Sequence, residues 1–247
     1  MIDRPSSPTE AALPPVQSEQ RFPPWSLGDI VICVLGGLLL GFIAVFLTFV
    51  LLNGIEPSDP VLYMISGTEI YVMVAVVTWL RVGKGRGATL QDIGFRPVKP
   101  GFLVLMIPLT VALLISSGII AELTANVFGD VPDAGDQLGV TSAGLSVTDL
   151  VCLLIVAAVV APVVEEMIFR GLLYQLIRVR KGVSPAIIIS ALAFAVIHFI
   201  PLLLGVFIVM GVAFALVVER SKSLYPAILL HALNNATSVV LVYVTID

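Results

Sequence analysis

The chain has 247 residues, 58% of them hydrophobic and only 12% charged, and a mean hydropathy of +1.08, a balance that a water-soluble domain does not keep. The net charge is -4 and the 13 Lys and Arg are scattered among short loops, so there is no basic surface for a phosphate backbone and nucleic acid is not an expected partner. Cys33 and Cys152 both fall in apolar runs, with no CxxC pair and no Cys/His spacing of the structural zinc kind; both are read as packing residues rather than a disulfide.

Residues 1–24 hold six prolines among Ser, Glu and Gln and cannot bury enough apolar surface to fold, which predicts a disordered tail. The basic n-region of a signal peptide is missing from it. A helix needs roughly 20 apolar residues to cross a bilayer, and that length predicts spans at 30–52, 61–80, 101–122, 149–177, 184–199, 201–218 and 225–245. Helices are the expected form because backbone polar groups in lipid must be satisfied within the segment. The fifth span is short, and Pro201 sets its end.

Lys and Arg stay on the cytoplasmic side of a membrane. Arg81, Lys84, Arg86, Arg96 and Lys99 follow the second span, Arg178, Arg180 and Lys181 the fourth, and Arg220 and Lys222 the sixth. The alternate loops carry Glu56 and Asp59, or Asp130, Asp133 and Asp136, and no Lys or Arg. The expected fold is therefore an all-α polytopic transmembrane bundle of about seven spans in the cell membrane, N-inside and C-outside, with a cytoplasmic tail. No internal repeat points to a transporter built from two related halves.

An ionisable side chain inside a span costs on the order of 3 kcal/mol, so each one that persists is a candidate functional residue. The fourth span holds Glu165, Glu166 and Arg170, the fifth Phe194 and His198, the seventh His231, Asn234 and Asn235, and the second Glu69; both histidines of the chain are among them. Glu166 and Arg170 are i and i+4 and share a helix face, where they can neutralise each other, while Glu165 points about 100° away. Glu165 is left without a partner on its own helix, free to act as a general base. Pro162 frees the carbonyl of Ala158 and bends the helix beside the pair.

Depth supports a meeting of these groups. With a turn at Gly182, Glu165 and His198 lie level on an antiparallel hairpin, roughly 20–25 Å from the basic loop at 1.5 Å per residue. His231 lies only roughly 14 Å beyond Lys222 on the same rise, so either the loop before it sits deeper or the helices tilt. A Glu beside a His, with a second His and an Asn on one helix face, supplies a water-activating base and oxyanion donors, the parts that amide hydrolysis needs. Neither a GxSxG elbow nor an HExxH zinc helix is present. Glu69 has no visible partner and reads as a cavity-facing residue or a protonated core carboxyl. Gly36, Gly37, Gly41, Gly205 and Gly211 read as helix-packing positions.

EExxxR (Glu165, Glu166, Arg170), FxxxH (Phe194, His198) and HxxxN (His231, Asn235), in that order on successive apolar helices, resemble the three motifs of the CAAX protease and bacteriocin-processing family, which contains the type II CAAX prenyl endopeptidases. The Glu219-Arg220 turn, Tyr225-Pro226 and the LLHALNN run also look typical of it. The resemblance covers about residues 149–240 and divides the chain into the tail 1–24, N-terminal transmembrane helices over 25–148, and a catalytic core over 149–245. It implies an intramembrane glutamic endopeptidase, with Glu165 and His198 as water activators, His231 and Asn235 as oxyanion ligands, and Glu166, Arg170 and Phe194 in support. Asn234, i+3 from His231, competes with Asn235 for the donor role. The implied substrate is a membrane-associated peptide, lipidated or leader-bearing. The alternative is a non-proteolytic immunity or scaffold protein of the same fold. No cofactor is expected; zinc is the alternative, because a Glu and two His are also ligand types of a catalytic zinc.

Overall fold

The structure is a computed structural model, and it describes residues 22–52, 60–132 and 145–246. The tail expected over 1–24 lies outside them as far as residue 21, as do the acidic positions Glu56, Asp59, Asp133 and Asp136. The described residues form helices only, in an all-α membrane bundle. In chain order these are α1 (Leu27–Leu52), α2 (Pro60–Thr78, continued by a π-helical turn Trp79–Lys84), the short α3 (Leu90–Ile93) and α4 (Pro100–Phe128). Then come α5, a continuous 35-residue helix Val147–Lys181, α6 (Val183–Val196), α7 (Leu204–Ser221, approached through a 3-10 turn Pro201–Leu203) and α8 (Tyr225–Ile246).

Six of these helices are long and apolar enough to cross a bilayer, and α6 is shorter. Its 14 residues run about 21 Å, against a hydrocarbon core of roughly 30 Å. The expected 184–199 span therefore stops early, for a local reason. Pro201 disfavours helical geometry at its predecessor, and Ile200 leaves it at φ -116 and ψ 88. Phe199 takes a left-handed φ of 55, and α6 turns back into α7 within the bundle. Gly211 holds that hairpin shut: a β-carbon there would lie 2.8 Å from the Ala191 Cα.

The same device joins α1 to α2. A β-carbon on Gly37 would lie 2.5 Å from the Val74 Cα, and one on Gly41 2.7 Å from the Ile70 Cα. These are the close backbone contacts that small residues permit between membrane helices. Large apolar side chains such as Leu35, Leu39, Val104 and Ile107 face outward, as they must when the solvent is lipid.

The basic loops come together at one end of the bundle. Asp29, fully buried, accepts from Arg81 Nε at 2.7 Å and from Arg86 Nη2 at 3.0 Å. Glu219 takes Arg178 and Lys222, each at 2.6 Å. The α7–α8 loop is set deep: Leu224 N–H bonds the Gly94 carbonyl at 2.9 Å, and Leu224 packs beside Gly171, a position where a β-carbon would lie 3.3 Å from it. Gly171 lies ten residues before Lys181, and this depth is what lets His231 reach the middle of α5. A deeper loop, rather than tilt alone, resolves the mismatch in the sequence count.

α5 changes its winding on both sides of the two glutamates, with π-helical stretches at Leu154–Val160 and Met167–Tyr174. Ala161 N–H bonds the Val156 carbonyl, five residues back. In that register Pro162, which has no N–H, fails to satisfy Ala157 rather than Ala158. The orphan carbonyl is one residue earlier than α-helical counting predicts.

Candidate active site

Glu166 and Arg170 are both completely buried and paired, Nη1 to Oε1 at 2.8 Å. Arg170 also donates from Nη2 to the Gly211 carbonyl at 2.8 Å and lies over the ring of Phe194 at 4.6 Å. Its charge is thus held by a carboxylate, a carbonyl and aromatic faces together. Phe194 is itself the hub of this layer, edge-on to Phe169, Phe207, Phe214, His198 and His231.

His231, brought in by α8, stands between the two glutamates. Its Nδ1 is 3.1 Å from Glu166 Oε1, its Nε2 is 3.8 Å from Glu165 Oε2, and its ring stacks on Phe214. Glu166 is already the anion of a buried pair, so it acts as acceptor and Nδ1 is the donor; Nε2 is thereby turned toward Glu165. His198 sits at the α6–α7 turn. Its Nδ1 is 2.7 Å from the Phe194 carbonyl, which can only accept. The neutral ring therefore presents an unprotonated Nε2, and stacking on Phe207 at 4.0 Å fixes its plane.

Glu165 has no Arg or Lys partner among the described residues, and its side chain keeps 15% exposure. It faces a cavity of about 640 Å³ whose walls include His198, His231, Asn234 and Asn235, and which extends to Leu153 on α5 and Pro132 beyond α4. A second, apolar cavity of about 230 Å³ lies against Val34 and Leu38 of α1 and shares Ile70, Tyr71, Glu165 and His198 with the first. Glu165 and His198, expected to meet across the α5–α6 hairpin, line the same space.

Asn235 has an occupation that the sequence did not reveal. Its Nδ2 donates at 2.8 Å to the carbonyl of Ala157, the group left open by Pro162 in the π-wound register. One amide hydrogen therefore caps the helix beside the site, and Asn235 also lines the cavity. Asn234 is more buried and its Oδ1 has no partner among the described residues.

The structure thus brings Glu165, Glu166, Arg170, Phe194, His198, His231 and Asn235 together and leaves Glu69 apart. Glu69 Oε1 accepts from Thr48 of α1 at 2.5 Å, a partner hidden from any single-helix reading. Sequence reasoning also missed Tyr71, whose hydroxyl donates to Glu165 Oε1 at 2.6 Å. A tyrosine in the second span was the only available hint.

Residues 147–237, from the start of α5 into α8, match the family described as Type II CAAX prenyl endopeptidase Rce1-like, so the resemblance read from the three motifs is recovered by comparison. Over 129 residues, 52% of this chain, the sequence is 30% identical to the "Putative membrane peptidase YdiL" of Bacillus subtilis (strain 168), 51% of which is covered. The chain spans about half the length of that curated relative. No solved structure matches it.

Proposed function

We propose that the protein is an intramembrane endopeptidase of the glutamic, CAAX type, cutting a peptide bond in a membrane-associated peptide. The observation that carries this reading is Glu165 itself: of two adjacent carboxylates, Arg170 neutralises one, and the other opens on a 640 Å³ cavity beside two histidines with defined donor and acceptor nitrogens. In the reaction, water is held between Glu165 and the Nε2 of His198. Glu165 takes its proton as the oxygen attacks the peptide carbonyl, and returns that proton to the leaving amine. Two carboxylates against one guanidinium leave room for one more positive charge. His231 carrying both ring protons makes the cluster neutral and offers Nε2–H to the oxyanion, with the second Nδ2 hydrogen of Asn235 beside it. The end of the bundle that gathers Arg81, Arg86, Arg178 and Lys222 is cytoplasmic in this reading, by the positive-inside rule, and the membrane is the cell membrane.

Membrane-peptide fragments from cells expressing the wild type and the Glu165→Ala form test the reading against a binding-only scaffold. Fragments present with the wild type and absent with Glu165→Ala are expected; identical patterns would favour the scaffold. The mechanism is proposed as metal-independent. Among the described residues no three His, Cys, Asp or Glu side chains converge closely enough to hold one ion. Activity of the purified protein is accordingly expected to survive exhaustive chelation, whereas stoichiometric zinc whose removal abolishes turnover would make Glu165 a ligand instead of the base.

The two asparagines differ in expected effect. Asn235→Ala is expected to slow turnover about 10²- to 10³-fold, the cost of one oxyanion donor, and to lower the unfolding temperature because the Ala157 carbonyl loses its donor. Asn234→Ala is expected to do less on both counts. Steady-state rates and thermal unfolding of the two variants decide it, and the reverse ranking would move the oxyanion donor to Asn234.

A further inference from the structure

Glu165 has two oxygens with separate neighbours. Oε2 looks toward His231 at 3.8 Å, and Oε1 accepts the Tyr71 hydroxyl at 2.6 Å. Tyr71 belongs to α2, which lies outside the matched segment 147–237 and outside all three motifs. It also stands where the 640 Å³ and 230 Å³ cavities meet, with Ile70, Glu165 and His198.

α2 has little freedom to place that hydroxyl elsewhere. Ile70, the residue before Tyr71, has its Cα against Gly41 of α1, and Val74, three residues on, has its Cα against Gly37. Backbone contacts this close fix α2 on α1 at the height of the glutamate. The hydroxyl is a donor in a hydrogen bond to an ionisable acceptor, a short and strong class of contact. A carboxylate side chain with three torsions would otherwise choose among several rotamers in the cavity.

We propose that Tyr71 is a positioning residue for Glu165: its hydroxyl holds Oε1 and so aims Oε2 at His231 and at the water site, which makes the α1–α2 pair part of the reaction machinery. This rests on the peptidase reading for its rate consequences but not for its geometry. A structural tyrosine would be replaceable by phenylalanine, which keeps the ring and its packing. A positioning tyrosine would not.

The experiment uses the full-length purified protein and a peptide that the wild type cleaves and the Glu165→Gln form cleaves at a slow but measurable rate. Tyr71→Phe is expected to lower kcat about 10- to 100-fold, as loss of a hydrogen bond to a charged group does, with KM changed less than threefold. Tyr71→Leu is expected to be as slow as Tyr71→Phe. In a Glu165→Gln background, Tyr71→Phe is expected to cause no further loss, because residues that act through one another are not additive. Wild-type kcat in Tyr71→Phe, or a loss seen only in Tyr71→Leu, would overturn the proposal and leave Tyr71 as packing.

An infrared difference spectrum between wild type and Glu165→Gln isolates the carboxyl band of Glu165 without any substrate. Tyr71→Phe is expected to shift that band. An unshifted band overturns the positioning role by itself, while a shifted band in a protein that cleaves no peptide would sink the peptidase reading and leave the contact standing.

Discussion

Purified protein carrying Glu165→Gln is expected to hydrolyse substrate at least 10²- to 10⁴-fold more slowly than the wild type, the range lost with a positioned general base, while unfolding at nearly the same temperature. The substitution keeps the shape of the side chain and an oxygen for the Tyr71 hydroxyl, which donates at 2.6 Å to Oε1 in the wild type. It removes the proton acceptor. Glu165 is partly exposed to the cavity, and His231 Nε2, its ion-pair neighbour, stands at 3.8 Å, beyond hydrogen-bond distance, so little folding energy depends on its charge. His198→Ala is expected to give a loss of the same order, since its Nε2 is the other water acceptor in the proposed mechanism. Stopped-time assays of peptide cleavage, with thermal unfolding measured on the same samples, check the split between rate and stability. A large fall in unfolding temperature with Glu165→Gln would mean that this residue, too, is structural.

The opposite split is expected at Arg170. Arg170→Met strands Glu166 as an anion with no exposure, and breaking one side of a buried pair costs about 3–5 kcal/mol, a large share of the stability of a single domain. The expected result is a protein that unfolds far below the wild type in detergent, or that fails to accumulate. Replacing both partners tells a different story. Glu166→Gln with Arg170→Met removes both charges of the buried pair together and keeps an oxygen for His231 Nδ1, so the double variant is expected to regain most of the unfolding temperature. If the double variant is as unstable as the single one, the aromatic cage over Arg170 and the bond to the Gly211 carbonyl, rather than the stranded charge, dominate.

Helices and site were legible in the sequence to the extent that each depended on one segment at a time. Apolar length found α1, α2, α5, α7 and α8 within a few residues of their ends and stopped six residues short of the end of α4, and the i,i+4 spacing separated Glu166 with Arg170 from Glu165. What stayed hidden depended on neighbours or on winding. Tyr71 and Thr48 became partners only when α1, α2 and α5 were packed together. The burial of Asp29 beneath Arg81 and Arg86 joins residues more than fifty positions apart. The π-wound stretch before Pro162 moved the open carbonyl from Ala158 to Ala157, a shift of one residue that hydropathy cannot register. Asn235 was picked out by its motif spacing, but its bond to Ala157 followed from that winding.

The early end of α6 has a consequence for the lipid around the protein. A helix of about 21 Å stops short in a hydrocarbon layer of roughly 30 Å, so the α6–α7 turn lies within the membrane thickness. Phe199, at the tip of that turn, is 84% exposed. Lipids there must thin or splay, at a cost of fractions of a kcal/mol per Å of mismatch. Such thinning at this turn would bring headgroups and their water toward His198, the residue proposed to hold the attacking water. On that account, turnover is expected to be faster in thin bilayers than in thick ones.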